Sequence, residues 1–74
     1  MGQVSFKIVE KVLLDAKAIK KGETSNKIVY LLKSTVIAVP KNGMDLIHFI
    51  DMLENQLDMS WWMIDYILGQ NNIK

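Results

Sequence analysis

The sequence predicts an α+β domain: an N-terminal helix, a β-hairpin and two C-terminal helices. Three observations carry this. Apolar residues recur at helical spacing over residues 5–21 and again over 44–58. Between them lies a run dense in Val, Ile, Thr and Tyr, the residues that favour a pleated strand. The competing class is a small all-α bundle, in which residues 26–34 form a helix instead.

In the first segment Ile8, Val9, Val12, Leu13, Ala16 and Ile19 share a face, with Lys7, Lys11 and Asp15 elsewhere. Gly22 is the expected stop after Lys20 and Lys21, whose charges suit a helix C-terminus. GETSN, residues 22–26, reads as a loop. KIVYLLKSTVIAVP, residues 27–40, reads as a hairpin turning at Lys33-Ser34, although neither residue favours positive φ. Pro40 ends the run or confines it to an edge, and PKNG, residues 40–43, is a loop.

Residues 44–58 give the cleanest helical pattern. Leu46, Phe49, Ile50, Leu53 and Leu57 line one face, and Asp51, Glu54 and Asp58 lie three and four apart on the other. That acidic face suits solvent, or a basic partner. Ser60 is the expected N-cap of a last helix, its hydroxyl accepting a free backbone N–H. That helix, WWMIDYIL, stops at Gly69 and has almost no polar face. Such a helix must be covered on all sides. Either the core folds around Trp61 and Trp62, or they meet a second chain together with Tyr66.

The chain of 74 residues is read as one domain, 1–74. A domain of this size buries only about 60% of its unfolded surface, so small folds usually need a staple. With no cysteines, disulfides and thiolate metal sites are excluded. A homodimer or another partner is the remaining staple. No metal or cofactor is expected: one His makes no zinc site, and no phosphate loop or nucleophile elbow is present. His48 is expected to be solvated. The protein is read as a non-enzyme. No apolar run approaches the roughly 20 residues of a membrane span, so the expectation is a cytosolic protein without a membrane role.

The net charge of +1 hides an asymmetry. Residues 1–43 carry eight lysines against Glu10, Asp15 and Glu23; residues 44–74 carry Asp45, Asp51, Glu54, Asp58 and Asp65 against Lys74 alone. The two halves either attract within the monomer or orient a partner. None of the nine basic residues is Arg, the usual reader of guanine edges, so sequence-specific nucleic-acid binding is not expected. A non-specific role for the Lys-rich first helix is the alternative.

QLDMSW, residues 56–61, is similar to the short peptide by which bacterial proteins bind the replication sliding clamp. Gln56, Leu57-Asp58, Met59 and Trp61 match in order, with Ser60 as spacer, Met replacing the commoner Leu and Trp the commoner Phe. Gln supplies a bidentate amide, while Met and Trp fill an apolar cleft. The whole chain, in its length, arginine-free Lys-rich composition and lack of enzyme motifs, resembles the small host-takeover proteins of staphylococcal, Twort-like phages that inhibit this clamp. The resemblance implies a dimer that binds the clamp in the host cytoplasm and obstructs its DNA channel. The acidic face of Asp51, Glu54 and Asp58 suits a channel lined with positive charge. A different host target, such as RNA polymerase, stays open.

Overall fold

The computed structural model describes residues 2–73 and has the α+β architecture. A short strand β1 (Gln3–Val4) leads into helix α1 (Phe6–Asp15). Three strands follow: β2 (Ile19–Glu23), β3 (Lys27–Leu32) and β4 (Thr35–Pro40). Strand β5 (Met44–Asp45) leads directly into helix α2 (Leu46–Asp51), whose last turn, Met52–Gln56, widens into a π-helix. Helix α3 (Trp61–Gln70) closes the fold.

β2, β3 and β4 form an antiparallel meander, and β1 pairs with β5 in a separate two-stranded sheet. The expected hairpin is present. Leu32 pairs with Thr35 across a two-residue turn, and Lys33 takes the left-handed conformation at φ 57°. Pro40 ends β4, which lies at the edge of the sheet, where a missing N–H costs least.

The first helix is shorter than its apolar spacing predicts. It ends at Asp15, and residues 19–23 form a strand where the sequence suggested more helix and a loop. The cause is local. Lys17 is left-handed, at φ 73°. Its N–H donates to the Leu14 carbonyl, and the Ala18 N–H donates to the Leu13 carbonyl at 2.9 Å. These two bonds are a Schellman motif, which satisfies the last carbonyls and reverses the chain. Ile19, expected on the buried helix face, is therefore 59% exposed in β2. Gly22 stops nothing: it pairs with Val29 just after a bulge.

α3 ends in the same way. Gly69 lies inside the helix, and left-handed Asn72 is the stop, with the Ile73 N–H donating to the Leu68 carbonyl. The third case is Asp58, left-handed at φ 56°, after a turn closed by Leu57 N–H to Met52 carbonyl and Met59 N–H to Leu53 carbonyl. The helix expected over 44–58 thus begins at Leu46 and loses α geometry at Met52. Ser60 sits at the N-cap of α3 in extended geometry, but its hydroxyl makes no capping bond. Its backbone carbonyl accepts from Met63 and Ile64 instead.

One core joins these pieces. α1 contributes Val9, Val12 and Leu13; the meander contributes Ile28, Tyr30, Leu32, Ile37 and Val39 from one face. Phe49, Met52 and Leu53 close it from the α2 side, and Ile64 from α3. Tyr30 is the largest fully buried side chain. Its hydroxyl donates to Glu10 Oε2 at 2.9 Å, tying sheet to α1. Burial, with that carboxylate beside it, pushes the phenol up to about 12.

Gly43, in the loop between β4 and β5, lies directly against β1. Its φ is +94°, and a Cβ there would run into the carbonyl oxygen of Val4. Replacement by Ala should cost ~2 kcal/mol or more, from strain and from displacing β1. Lys17→Gly tests the early helix stop by its sign. Glycine relieves the left-handed backbone and should stabilise by up to ~1 kcal/mol, whereas in a continuous helix it would destabilise by about that amount. Urea unfolding of both variants reads the two values.

Candidate partner-binding surfaces

α3 is anchored by one face. Ile64 is fully buried, and Ile67 and Leu68 are partly covered. The opposite face is open: Trp62 is 74% exposed and Tyr66 63%, while Trp61, 59% exposed, lies on the flank about 100° round the helix from Trp62. Trp62 and Tyr66 stand one turn apart and so share a surface. At the ~200 Å² a large aromatic side chain offers, Trp62 and Tyr66 leave roughly 300 Å² uncovered. Apolar patches of about this size are the largest on typical monomers and often mark interaction sites.

Beside this face, α3 and α1 frame a groove of about 450 Å³. Its walls are Val12 from α1, Ala16 just after it, and Met63, Tyr66 and Ile67 from α3; Leu57 and Met59 lie between. Lys11, Asp15 and Asp58 ring it with charge. Tyr66 therefore borders both the groove and the open face.

The acidic residues divide. Asp51, Glu54 and Asp58 are all exposed. Asp58 borders the groove between α1 and α3, whereas Asp51 borders a separate hollow against β4, together with Gln56. The single acidic stripe expected of a regular helix is interrupted. A π turn carries an extra residue, and the left-handed Asp58 then reverses the chain. Asp51 Oδ1 also accepts from Asn55 Nδ2 at 2.5 Å.

QLDMSW does not form an extended strand. Gln56 ends the π turn, Leu57 is helical, Asp58 is left-handed and Ser60 is extended. Leu57 and Met59 pack against the core, while Gln56 and Trp61 face solvent. Docking in a cleft as an extended peptide would require breaking the two bonds that close the turn.

The lysines are spread as well. Lys7 and Lys11 lie on α1, but Lys17 follows it, and Lys20 and Lys21 lie on β2. Glu23 accepts from Lys20 at 2.8 Å and from Lys41 at 2.5 Å. These bonds, that from Lys20 first, pull its carboxyl down to about 2. No Lys-rich helix face is assembled.

His48 is solvent-exposed as expected, and it has a partner the sequence reading missed. Asp45 caps α2 by accepting the His48 backbone N–H at 2.9 Å, and its carboxylate lies 2.7 Å from His48 Nδ1. The signal was available: Asp three residues before His, directly ahead of an apolar helical run, marks an N-cap. Also missed was the outer sheet face. Ile19, Leu31 and Val36 are in register across the meander, and Ile19 and Val36 are largely exposed. TVIAVP is apolar on both strand faces, which is the mark of a strand expecting two covers.

No helix among the described residues is long and apolar enough to cross a membrane. Among those residues no group of His, Asp and Glu is arranged to hold a metal ion. The chain matches no protein-family model, no curated protein and no solved structure.

The Asp45 cap gives a pH dependence. The His48 amide, and then its ring, hold this carboxyl below its ordinary value of 3.8. A group whose folded pKa is depressed stabilises above its unfolded pKa and loses that contribution as pH falls through the folded one. Stability should therefore drop below about pH 4, and Asp45→Ala should lower the urea midpoint at pH 7 and flatten this acid limb. Urea melts of both proteins from pH 7 to pH 2 check it.

Proposed function

We propose that the protein works by stoichiometric binding rather than catalysis. It is an inhibitor that dimerises through the aromatic face of α3 and engages the sliding clamp of bacterial replication in the host cytoplasm. There it blocks DNA loading or partner access. The observation that carries the binding role is the uncovered surface of Trp61, Trp62 and Tyr66 on a helix rooted in the core by Ile64. Trp and Tyr in such a position are the usual anchors of an interface. The clamp as target rests on the resemblance of the whole chain and of residues 56–61 to clamp-directed proteins.

Within this reading, occlusion of the channel is favoured over docking in the peptide cleft. Gln56 and Met59 belong to a closed turn, and Met59 is partly committed to the core. Asp51, Glu54 and Asp58 are exposed and can meet positive charge without any unfolding. Their attraction to a basic channel would be long-ranged and sensitive to salt.

Titration calorimetry with purified clamp from a Gram-positive bacterium tests this at several salt concentrations. Binding of the wild type should weaken as salt rises. Reversal of Asp51, Glu54 and Asp58 to Lys should weaken it further and remove most of that dependence. Trp62→Ala should lower the dimer's stability by roughly 30-fold in Kd, read by sedimentation. No binding to clamp by the folded wild type rejects the target. Salt-independent binding that is lost in Gln56→Ala moves the contact to the cleft.

A further inference from the structure

The two edges of the meander are built differently. β2 presents Lys20 and Lys21 and carries a bulge between Lys20 and Gly22. Lysine and bulges are the usual devices that stop an edge from pairing with another chain. β4, with the sequence TVIAVP, has no charge and pairs residue for residue with β3 from Thr35 to Pro40 without a bulge. In an antiparallel ladder alternate residues turn their N–H and C=O away from the neighbour. Among the described residues, the backbone of residues 36–39 makes no hydrogen bond outside the β3 ladder.

This open edge is not flat against solvent. α2 stands beside it, leaving a hollow of about 230 Å³ bordered by Val36, Ile37 and Ala38 on one side and His48, Asp51 and Gln56 on the other. Past Ala38 and His48 it opens into a second hollow of about 450 Å³, which reaches Pro40 and Asp45. The trough thus follows β4 from Val36 to Pro40. Among the described residues the charged groups bordering it are Asp45 and Asp51, and no lysine borders it.

We propose that this trough binds an extended segment of a partner protein, which adds antiparallel to β4 and carries a basic side chain toward Asp51. Strand addition supplies the main-chain bonds, and the wall of α2 selects the side chains. Five to six residues suffice to follow the edge, at about 3.3 Å each. The occupant is a foreign segment rather than a second β4, because a two-fold pairing sets Asp51 near its own copy, and Lys41, the lysine that follows β4, is already paired with Glu23. The site is distinct from the α3 face and shares Asp51 with the clamp reading, but the peptide test reads it without the clamp.

The test uses the whole chain labelled for NMR and a capped heptapeptide of alternating valine and lysine. The control is the same peptide N-methylated at alternate backbone nitrogens. The unmethylated peptide should shift the amides of residues 36–39 and protect those of Val36 and Ala38, which point away from β3. Methylation should weaken it by about ten-fold, the cost of one to two main-chain bonds. Asp51→Asn should weaken the lysine peptide but leave a glutamine version unchanged. Val36→Lys, at a 65% exposed position the fold tolerates, should weaken both peptides. Equal binding of the methylated peptide, or shifts confined to α3, overturns the proposal. So does protection of β4 that grows with protein concentration alone, because the edge then pairs with a second copy.

Discussion

A chain this short has material for one core, and that core covers one side of each element. Tyr30, Ile28, Leu32, Ile37 and Val39 fill the inner face of the meander, and α1 and α2 close over them. Nothing among the described residues lies over the outer face, where Ile19 and Val36 remain exposed. α3 meets the core through Ile64, and among the described residues no second layer lies outside it. The open aromatic face, the bare sheet and the unpaired edge of β4 all follow from this shortage of covering mass.

How the chain reaches that arrangement depends on three left-handed residues. Lys17, Asp58 and Asn72 each stop a helical segment, and none is glycine. Each carries a conformational cost that L-residues usually avoid. The hydrogen bonds closing each turn and the apolar residue that follows offset it: Ala18 after Lys17, Met59 after Asp58 and Ile73 after Asn72. The stop at Lys17 matters most, because it releases residues 19–23 to pair with β3. Without it there would be a longer helix and a bare two-stranded hairpin, which is marginal alone in water.

The surface chemistry is divided in the same way. Salt bridges gather Glu23 with Lys20 and Lys41 at the β2 side, and the acidic residues lie on and around α2 and α3. Most of the acidic residues therefore gather on the C-terminal elements, while most lysines are distributed over the rest of the chain. Exposed pairs of this kind add little stability, and their main effect is on approach and orientation of a partner.

The sequence by itself determined the α+β class, the hairpin over residues 27–40, the apolar face of the helix after residue 44, and a last helix with almost no polar face. Each is written in local period or composition, which neighbours in sequence impose directly. Only the tertiary structure decided the rest. The apolar spacing of Ile8 to Ile19 fits one long helix. Ending it at Asp15 gains a third strand, and pairing with Tyr30 and Leu31 is a long-range contact that no local pattern encodes. The acidic residues at 51, 54 and 58 looked like one stripe because a regular helix was assumed; a π turn and a left-handed residue part them. The groove by α3 and the trough by β4 were illegible for the same reason, since each is the space between elements brought together from distant parts of the chain.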